Sequence, residues 1–347
     1  MINYYLPLAI AISFLLVLIF TPLNIKLSNK WKLIDIPKER SIHSSPIPIS
    51  GGIAIALSTL ITEIIFYFLI KDFTNNPFFW GIFIGGVLSL AIGILDDKFE
   101  YSAIRKLTLE IILAIIMILF GFHIKLLTNP FNEVINLGIF SYPVTIIWFL
   151  IIMNAINIID GIDGLADGIV TISSIVLLIT GIITNNMFIV LISSILFGTT
   201  LGFLKYNFYP AKIFMGDAGS LFLGFNLAAI SVAGTAQFKG ATAITLLIPI
   251  ATLFIPLTDV GVSIIRRVRT KKNIFIADKE HLHHKMLQIG FSTTFVAITG
   301  YFLTALFGLI AIGFLLVDKR ITFFLLILLG IIVFVLVYNL NKRNFPK

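Results

Sequence analysis

The sequence predicts an all-α polytopic integral membrane protein of about eleven transmembrane helices, with the N-terminus outside and the C-terminus cytoplasmic. Three observations predict it. Hydrophobic residues make up 58% of the 347 residues and charged residues 12%, where a soluble domain carries about 25% charge. The apolar residues fall in runs near the roughly 20 residues that cross a bilayer as a helix. Lys and Arg collect on one set of connecting loops, and that bias orients the chain.

The runs lie at roughly 4–25, 48–70, 78–95, 104–124, 142–159, 169–185, 187–205, 218–236, 241–265, 293–316 and 321–340. Charged or turn-rich segments separate most of them. The shortest separation is Asn185-Asn186, where one polar turn must serve as a loop, and Asp318-Lys319-Arg320 makes a clear hairpin. The first run has no basic segment before it and no small-residue cleavage site, so it reads as a retained span. Alternate loops and the C-terminal tail hold 20 of the 25 Lys and Arg residues. This bias accounts for most of the net charge of +8 without nucleic acid as a partner. No cysteine is present, which excludes disulfides, thiolate metal sites and a cysteine nucleophile. No internal repeat stands out, and 1–347 reads as a single transmembrane domain.

Polar chemistry follows the basic side. Asp96, Asp97, Glu100, Asp160, Asp163, Asp167, Asp217, Asp278, Glu280 and four of the five histidines fall in inside loops. The positive-inside rule concerns Lys and Arg and predicts no acidic cluster, so a built site is expected on the loops 28–50, 96–106, 160–168, 206–217 and 266–292. On the opposite side, 126–142 is long enough for a small hairpin.

Four constellations carry the chemistry. Asp96-Asp97 ends the third run, and two adjacent carboxylates at a membrane boundary need a cation. They read either as a magnesium-phosphate or proton-transfer site, or as a solvated helix end with Lys98 and Arg105 beside it. In Asn154-x-x-Asn157-x-x-Asp160-Gly161-x-Asp163-Gly164, steps of three place Asn154, Asn157 and Asp160 near one helix face. Two Asp-Gly steps after them exceed what a turn requires, the ordinary alternative being an interhelical seam. Phe214-Met215-Gly216-Asp217-Ala218-Gly219-Ser220 precedes the eighth run. There Asp217 is either an N-cap or a carboxylate at a helix start with free N–H groups for phosphate. The loop from Arg266 to Ser292 carries Arg266-Arg267-Val268-Arg269 and His281-Leu282-His283-His284, suited to diphosphate or sugar more than to zinc. The loop from Asp35 to Gly52 is rich in proline, which fixes an extended path. Glu63, Glu110 and Asp259 are ionisable residues inside spans, and Asp259 can pair with Arg266 two turns on.

In this order, from about residue 35 to 290, these motifs resemble the polyprenyl-phosphate N-acetylhexosamine-1-phosphate transferase superfamily, glycosyltransferase family 4. His281-Leu282-His283-His284 resembles its WecA/TagO-like branch, where the MraY-like branch has three consecutive histidines. The resemblance implies transfer of N-acetylglucosamine-1-phosphate from UDP-N-acetylglucosamine to undecaprenyl phosphate. The products would be undecaprenyl-pyrophosphoryl-GlcNAc and UMP, for a cell-envelope polysaccharide or teichoic-acid type glycan. It implies a multi-pass protein of the cytoplasmic membrane with its active site facing the cytoplasm, and leaves a homodimer open. It also implies roles by position. Asp96 and Asp97 match the acidic pair that deprotonates or orients the lipid phosphate, and Lys106 a lysine on that phosphate. Asp217 matches the ligand of Mg²⁺, for which Mn²⁺ can substitute, and Asn157 a second ligand. Asp160 and Asp163 match catalytic residues on the nucleotide or sugar side, and Phe214 an aromatic stacked on uracil. Arg266, His281, His283 and His284 match the loop over sugar and diphosphate. Glu100 departs from a common Asp. The alternatives are an MraY-like phospho-MurNAc-pentapeptide transferase and, in another class, a transporter or flippase. A transporter should carry ionisable residues at the midplane and inverted repeats.

Overall fold

The computed structural model describes residues 2–37, 46–70, 76–128, 134–237 and 282–342, with isolated positions between 246 and 267. Helix α1 is Ile2–Trp31. It is followed by strands β1 (Ile34–Asp35) and β2 (Ile47–Pro48), paired antiparallel with Ile34 opposite Pro48. Then come α2 (Gly51–Leu69), α3 (Pro77–Phe99) and α4 (Ala103–Leu119). A hairpin of β3 (Leu126–Thr128) and β4 (Val134–Asn136) follows within the 126–142 segment, as its length allowed. The chain continues through α5 (Ser141–Ile159), α6 (Leu165–Ile183), α7 (Met187–Asn207) and α8 (Gly216–Gln237). It ends in the short α9 (Leu282–Gln288), then α10 (Thr293–Leu316) and α11 (Lys319–Lys342).

The boundaries have local causes. Asn76 accepts from the Phe78 amide at 3.0 Å and Pro77 opens α3 where its missing N–H costs nothing. Glu100 closes α3 in the left-handed region at φ 47°. The Asn185-Asn186 turn separates α6 from α7, with Asn186 accepting from Ile189 N at 3.2 Å. Ser292 caps α10 in the same way through Phe295 N.

Among the described residues nine helices are long and apolar enough to cross a membrane, so the chain is a helical, polytopic membrane protein. The two other expected runs differ. The one at 104–124 is helical only over the 17 residues of α4, because the chain turns at Phe120 and Gly121. The one at 241–265 lies mostly outside the described residues.

Burial ranks the helices. In the span Gly216–Gly234 of α8, 89% of the apolar window is buried, against 22% for those in α1 and α11. Helix α8 is therefore the central element, packed on α2, α3 and α5, while α1 and α11 present Leu, Ile and Phe outward. Close approach at the start of α8 requires glycine on both neighbours. A Cβ at Gly52 of α2 would stand 2.1 Å from Gly219 N, and one at Gly93 of α3 would stand 2.3 Å from Ala218 Cα. These contacts bring the ends of α2 and α3 onto the first turn of α8, where the conspicuous acid of the third constellation sits.

Candidate active site

Four helix ends meet there. Asp96 and Asp97 lie in the last turn of α3, Lys106 in the first turn of α4, Asn157 in the last turn of α5 and Asp217 in the first turn of α8. Lys106 joins them. Its Nζ is 2.9 Å from Asp96 Oδ2, 2.7 Å from Asp217 Oδ1 and 3.3 Å from Asn157 Oδ1. Asn157 Nδ2 donates to Asp217 Oδ1, and to Ser220 Oγ at 2.8 Å. Asp96 is 6% exposed and Asp217 30%, so the pair is screened unevenly, with Asp217 on the open side.

The two adjacent acids do different work. Neighbours on a helix point about 100° apart, so they reach different partners. Asp96 takes the Lys106 ammonium on one oxygen and the Tyr101 amide, at 2.9 Å, on the other. Asp97 accepts from Asp217 N at 2.8 Å and Ala218 N at 3.0 Å. It therefore caps α8 from another helix and fixes the backbone that presents Asp217. This changes the expectation of free N–H groups for phosphate at this helix start. The Gly219 amide is also engaged, with Met215 O at 3.1 Å.

The Asp160–Asp167 turn forms a second acidic group. Asp163 Oδ2 accepts from Ala211 N at 2.9 Å. Gly164 N donates to Asn207 Oδ1 at 2.9 Å, and Asn207 Nδ2 donates to Ile213 O. Tyr301 of α10 donates its hydroxyl to Gly164 O at 2.6 Å. The turn is thus bound to the α7–α8 connection and to α10. Asp160 is partly exposed, but burial of its carboxyl, and then the charges of Asp217, Asp97, Asp167 and Asp163, hold it well above the ordinary carboxylate range. Asp167 is fully buried, and neither of its oxygens has a hydrogen-bond partner among the described residues.

Phe214, partly exposed, ties the first loop to this end of the bundle. Its amide donates to Pro48 O at 2.8 Å and its carbonyl accepts from Gly51 N at 3.0 Å. Of the Asp35–Gly52 loop, for which an extended path is expected, the end from Ile47 is held in this way and Asp35 pairs with Ile47, while 38–45 lies outside the described residues. Arg266, His281 and Asp259 also lie outside them. His283 and His284 are within α9, their side chains outside the description.

Sequence reasoning missed Ser220 as a partner of Asn157, and Asn207 and Tyr301 as supports of the Asp-Gly turn. The serine was visible in its motif three residues after Asp217. Nothing in the sequence links Tyr301 to a carbonyl 137 positions earlier. Among the described residues no three His, Cys, Asp or Glu side chains form a metal cage. The oxygens of Asp217, Asn157 and Asp96 that converge on the Lys106 ammonium are of the kind a hard ion takes. Mg²⁺ is commonly bound by one or two carboxylates with water and substrate phosphates.

The family model "Glycosyl transferase family 4" matches residues 79–235, which spans α3 to α8 and includes Asp96, Asp97, Lys106, Asn157, Asp160, Asp163 and Asp217. The chain is 35% identical over 305 residues to a probable undecaprenyl-phosphate N-acetylglucosaminyl 1-phosphate transferase of Bacillus subtilis, covering 88% of this chain and 83% of that one. It is 31% identical over 310 residues to a decaprenyl-phosphate N-acetylglucosaminephosphotransferase of Mycobacterium leprae, covering 83% and 77%. It is also 32% identical over 323 residues to a phospho-N-acetylmuramoyl-pentapeptide-transferase of Caldicellulosiruptor bescii, covering 88% and 96%.

Proposed function

This chain belongs to glycosyl transferase family 4, the polyprenyl-phosphate hexosamine-1-phosphate transferases, and we propose that it transfers N-acetylglucosamine-1-phosphate from UDP-N-acetylglucosamine to undecaprenyl phosphate. A phosphate oxygen of the lipid attacks the β-phosphorus of the nucleotide sugar. The new P–O bond forms as the bond from that phosphorus to the bridging oxygen breaks, and UMP leaves with that oxygen. The reaction must bring two anionic phosphates together, so positioning and charge compensation are the main tasks of the protein.

The observation that carries this reading is the convergence of Asp96, Lys106, Asn157 and Asp217 from four helix ends. Lys106 supplies positive charge for the lipid phosphate. Asp217 and Asn157 would hold Mg²⁺, with Mn²⁺ as a substitute, and a bound ion would offset the charge of the diphosphate and of departing UMP. Asp97 holds the Asp217 turn in place through two backbone amides. Both oxygens of Asp97 and both of Asp96 have partners, which favours direct attack by the lipid over an aspartyl intermediate. Asp160 and Asp163 face the nucleotide sugar, Phe214 the uracil, and the loop with Arg266, His281, His283 and His284 closes over sugar and diphosphate. In this reading the chain has eleven spans in the cytoplasmic membrane, N-terminus outside, with the site on the cytoplasmic face. The side carrying most Lys and Arg supports that orientation.

The likeness to the phospho-N-acetylmuramoyl-pentapeptide-transferase gives the second reading, in which the donor is a muramyl-pentapeptide nucleotide. UMP release from each nucleotide, measured with purified protein with and without undecaprenyl phosphate, separates them. Lipid-dependent release from UDP-N-acetylglucosamine alone is expected. Faster release from the muramyl nucleotide would overturn the assignment of the sugar.

A further inference from the structure

Helices α4 and α5 meet a second time just below the site. Lys106 and Glu110 are four residues apart on α4, and Asn154 and Asn157 three apart on α5, so each pair shares a face along the same seam. The upper rung is the contact of Lys106 with Asn157. The lower rung is a hydrogen bond of 2.7 Å from Asn154 Nδ2 to Glu110 Oε2. Glu110 is 0% exposed, and its other oxygen, Oε1, has no hydrogen-bond partner among the described residues. An unpaired buried carboxylate oxygen is costly. Lys106 lies one helical turn away on the same face of α4.

Lys106 itself stands where a cation is wanted, among oxygens of Asp96, Asp217 and Asn157. A divalent ion entering at Asp217 would have to share its oxygens with the ammonium or displace it. We propose that Glu110 is a positioning residue whose free Oε1 is the second seat of the Lys106 ammonium, taken up when a divalent cation enters at Asp217. The inference rests on the metal-dependent reading of the site. The lysine then stays charged inside the site, one turn lower, until the lipid phosphate arrives and draws it back. Asn154 keeps the glutamate aimed by holding its other oxygen.

The test uses the full chain purified in detergent, with Mn²⁺ alone as probe and free Mn²⁺ read by electron paramagnetic resonance. Glu110→Gln retains an oxygen for Asn154 but removes the charged seat, so Mn²⁺ should bind about tenfold more weakly while thermal stability is retained. Lys106→Met removes the competitor and should bind Mn²⁺ more tightly than the parent. Adding Glu110→Gln to Lys106→Met should change Mn²⁺ affinity no further. Unchanged affinity in Glu110→Gln, or the same weakening with and without Lys106, would overturn the second seat and leave the metal site standing. Should Glu110→Gln fail to fold, Glu110→Asp takes its place, since a carboxylate drawn back by one methylene should weaken Mn²⁺ binding only where Lys106 is present, and unchanged affinity there would overturn the second seat. A parent protein that binds no Mn²⁺ at millimolar concentration would overturn the metal-dependent reading and this inference with it.

Discussion

The two acidic groups at this end of the bundle differ in how their carboxylate oxygens are met. Around Asp217 the carboxylate oxygens are taken up by protein groups: Lys106 bridges Asp96 and Asp217, and two amides cap Asp97. In the Asp160–Asp167 turn the scaffold is fixed by Asn207 and Tyr301, yet Asp160 is held high by burial and like charge, and the oxygens of Asp167 lack hydrogen bonds among the described residues. The first group is joined by its own side chains and amides. The second holds its backbone ready and leaves the Asp160 carboxyl for a partner to complete. Such a division suits a reaction in which one side fixes charge for phosphoryl transfer and the other recognises a neutral sugar or a base through hydrogen bonds.

Removing Asp217 should break the group around it most severely. Asp217→Asn is expected to lower turnover by about 10²–10³-fold, the scale of one lost transition-state electrostatic contact, with helical content unchanged by circular dichroism. Near-normal turnover at low Mg²⁺ would remove Asp217 from the metal role. A smaller effect is expected at its neighbour. Asp97→Asn leaves one good acceptor for two amides, so it should cost about 1–2 kcal/mol of stability, as lost helix caps do, and lower turnover about 10–100-fold, as lost supporting contacts do at metal sites. A turnover loss with no change in thermal midpoint would show that Asp97 meets substrate directly and does not act through the α8 cap.

The Asp160–Asp167 turn should respond with the opposite sign in stability. An unfolded aspartate ionises near pH ~4, whereas the folded Asp160 keeps its proton to higher pH. As pH rises between those two values the unfolded chain gives up a proton that the folded chain retains, so stability falls. Asp160→Asn removes that loss. In chelator, the variant should match the parent below pH ~4 and melt higher as pH rises toward neutrality, while its turnover drops. A lower midpoint at neutral pH would mean that the Asp160 charge is compensated in the folded protein.

The contrast also marks how far the sequence could be read. Apolar run lengths and the clustering of Lys and Arg made a helical membrane protein legible, down to the turn at Asn185-Asn186. The spacing of Asn157 and Asp160, and the glycines around Asp217, pointed to residues that the fold brings to one end. The separate duties of Asp96 and Asp97 were not legible, because an Asp-Asp pair carries no sign of which helix each will face. The supports of the second turn were hidden for another reason. Asn207 and Tyr301 act through backbone groups, and any sequence presents the same backbone to them. The short α4 was overestimated because Phe120, Phe122 and Ile124 extend its apolar run past the turn that ends the helix.

The destination of the β-phosphate tests the central claim most directly. UDP-N-acetylglucosamine labelled with ³²P at the β-position is incubated with purified protein, Mg²⁺ and undecaprenyl phosphate, and the organic and aqueous phases are counted. Sugar-phosphate transfer predicts label in the lipid fraction and unlabelled UMP in water, in equal amounts. Label remaining in the aqueous phase as UDP while sugar enters the lipid would mean that the sugar moves without its phosphate, and would contradict the account.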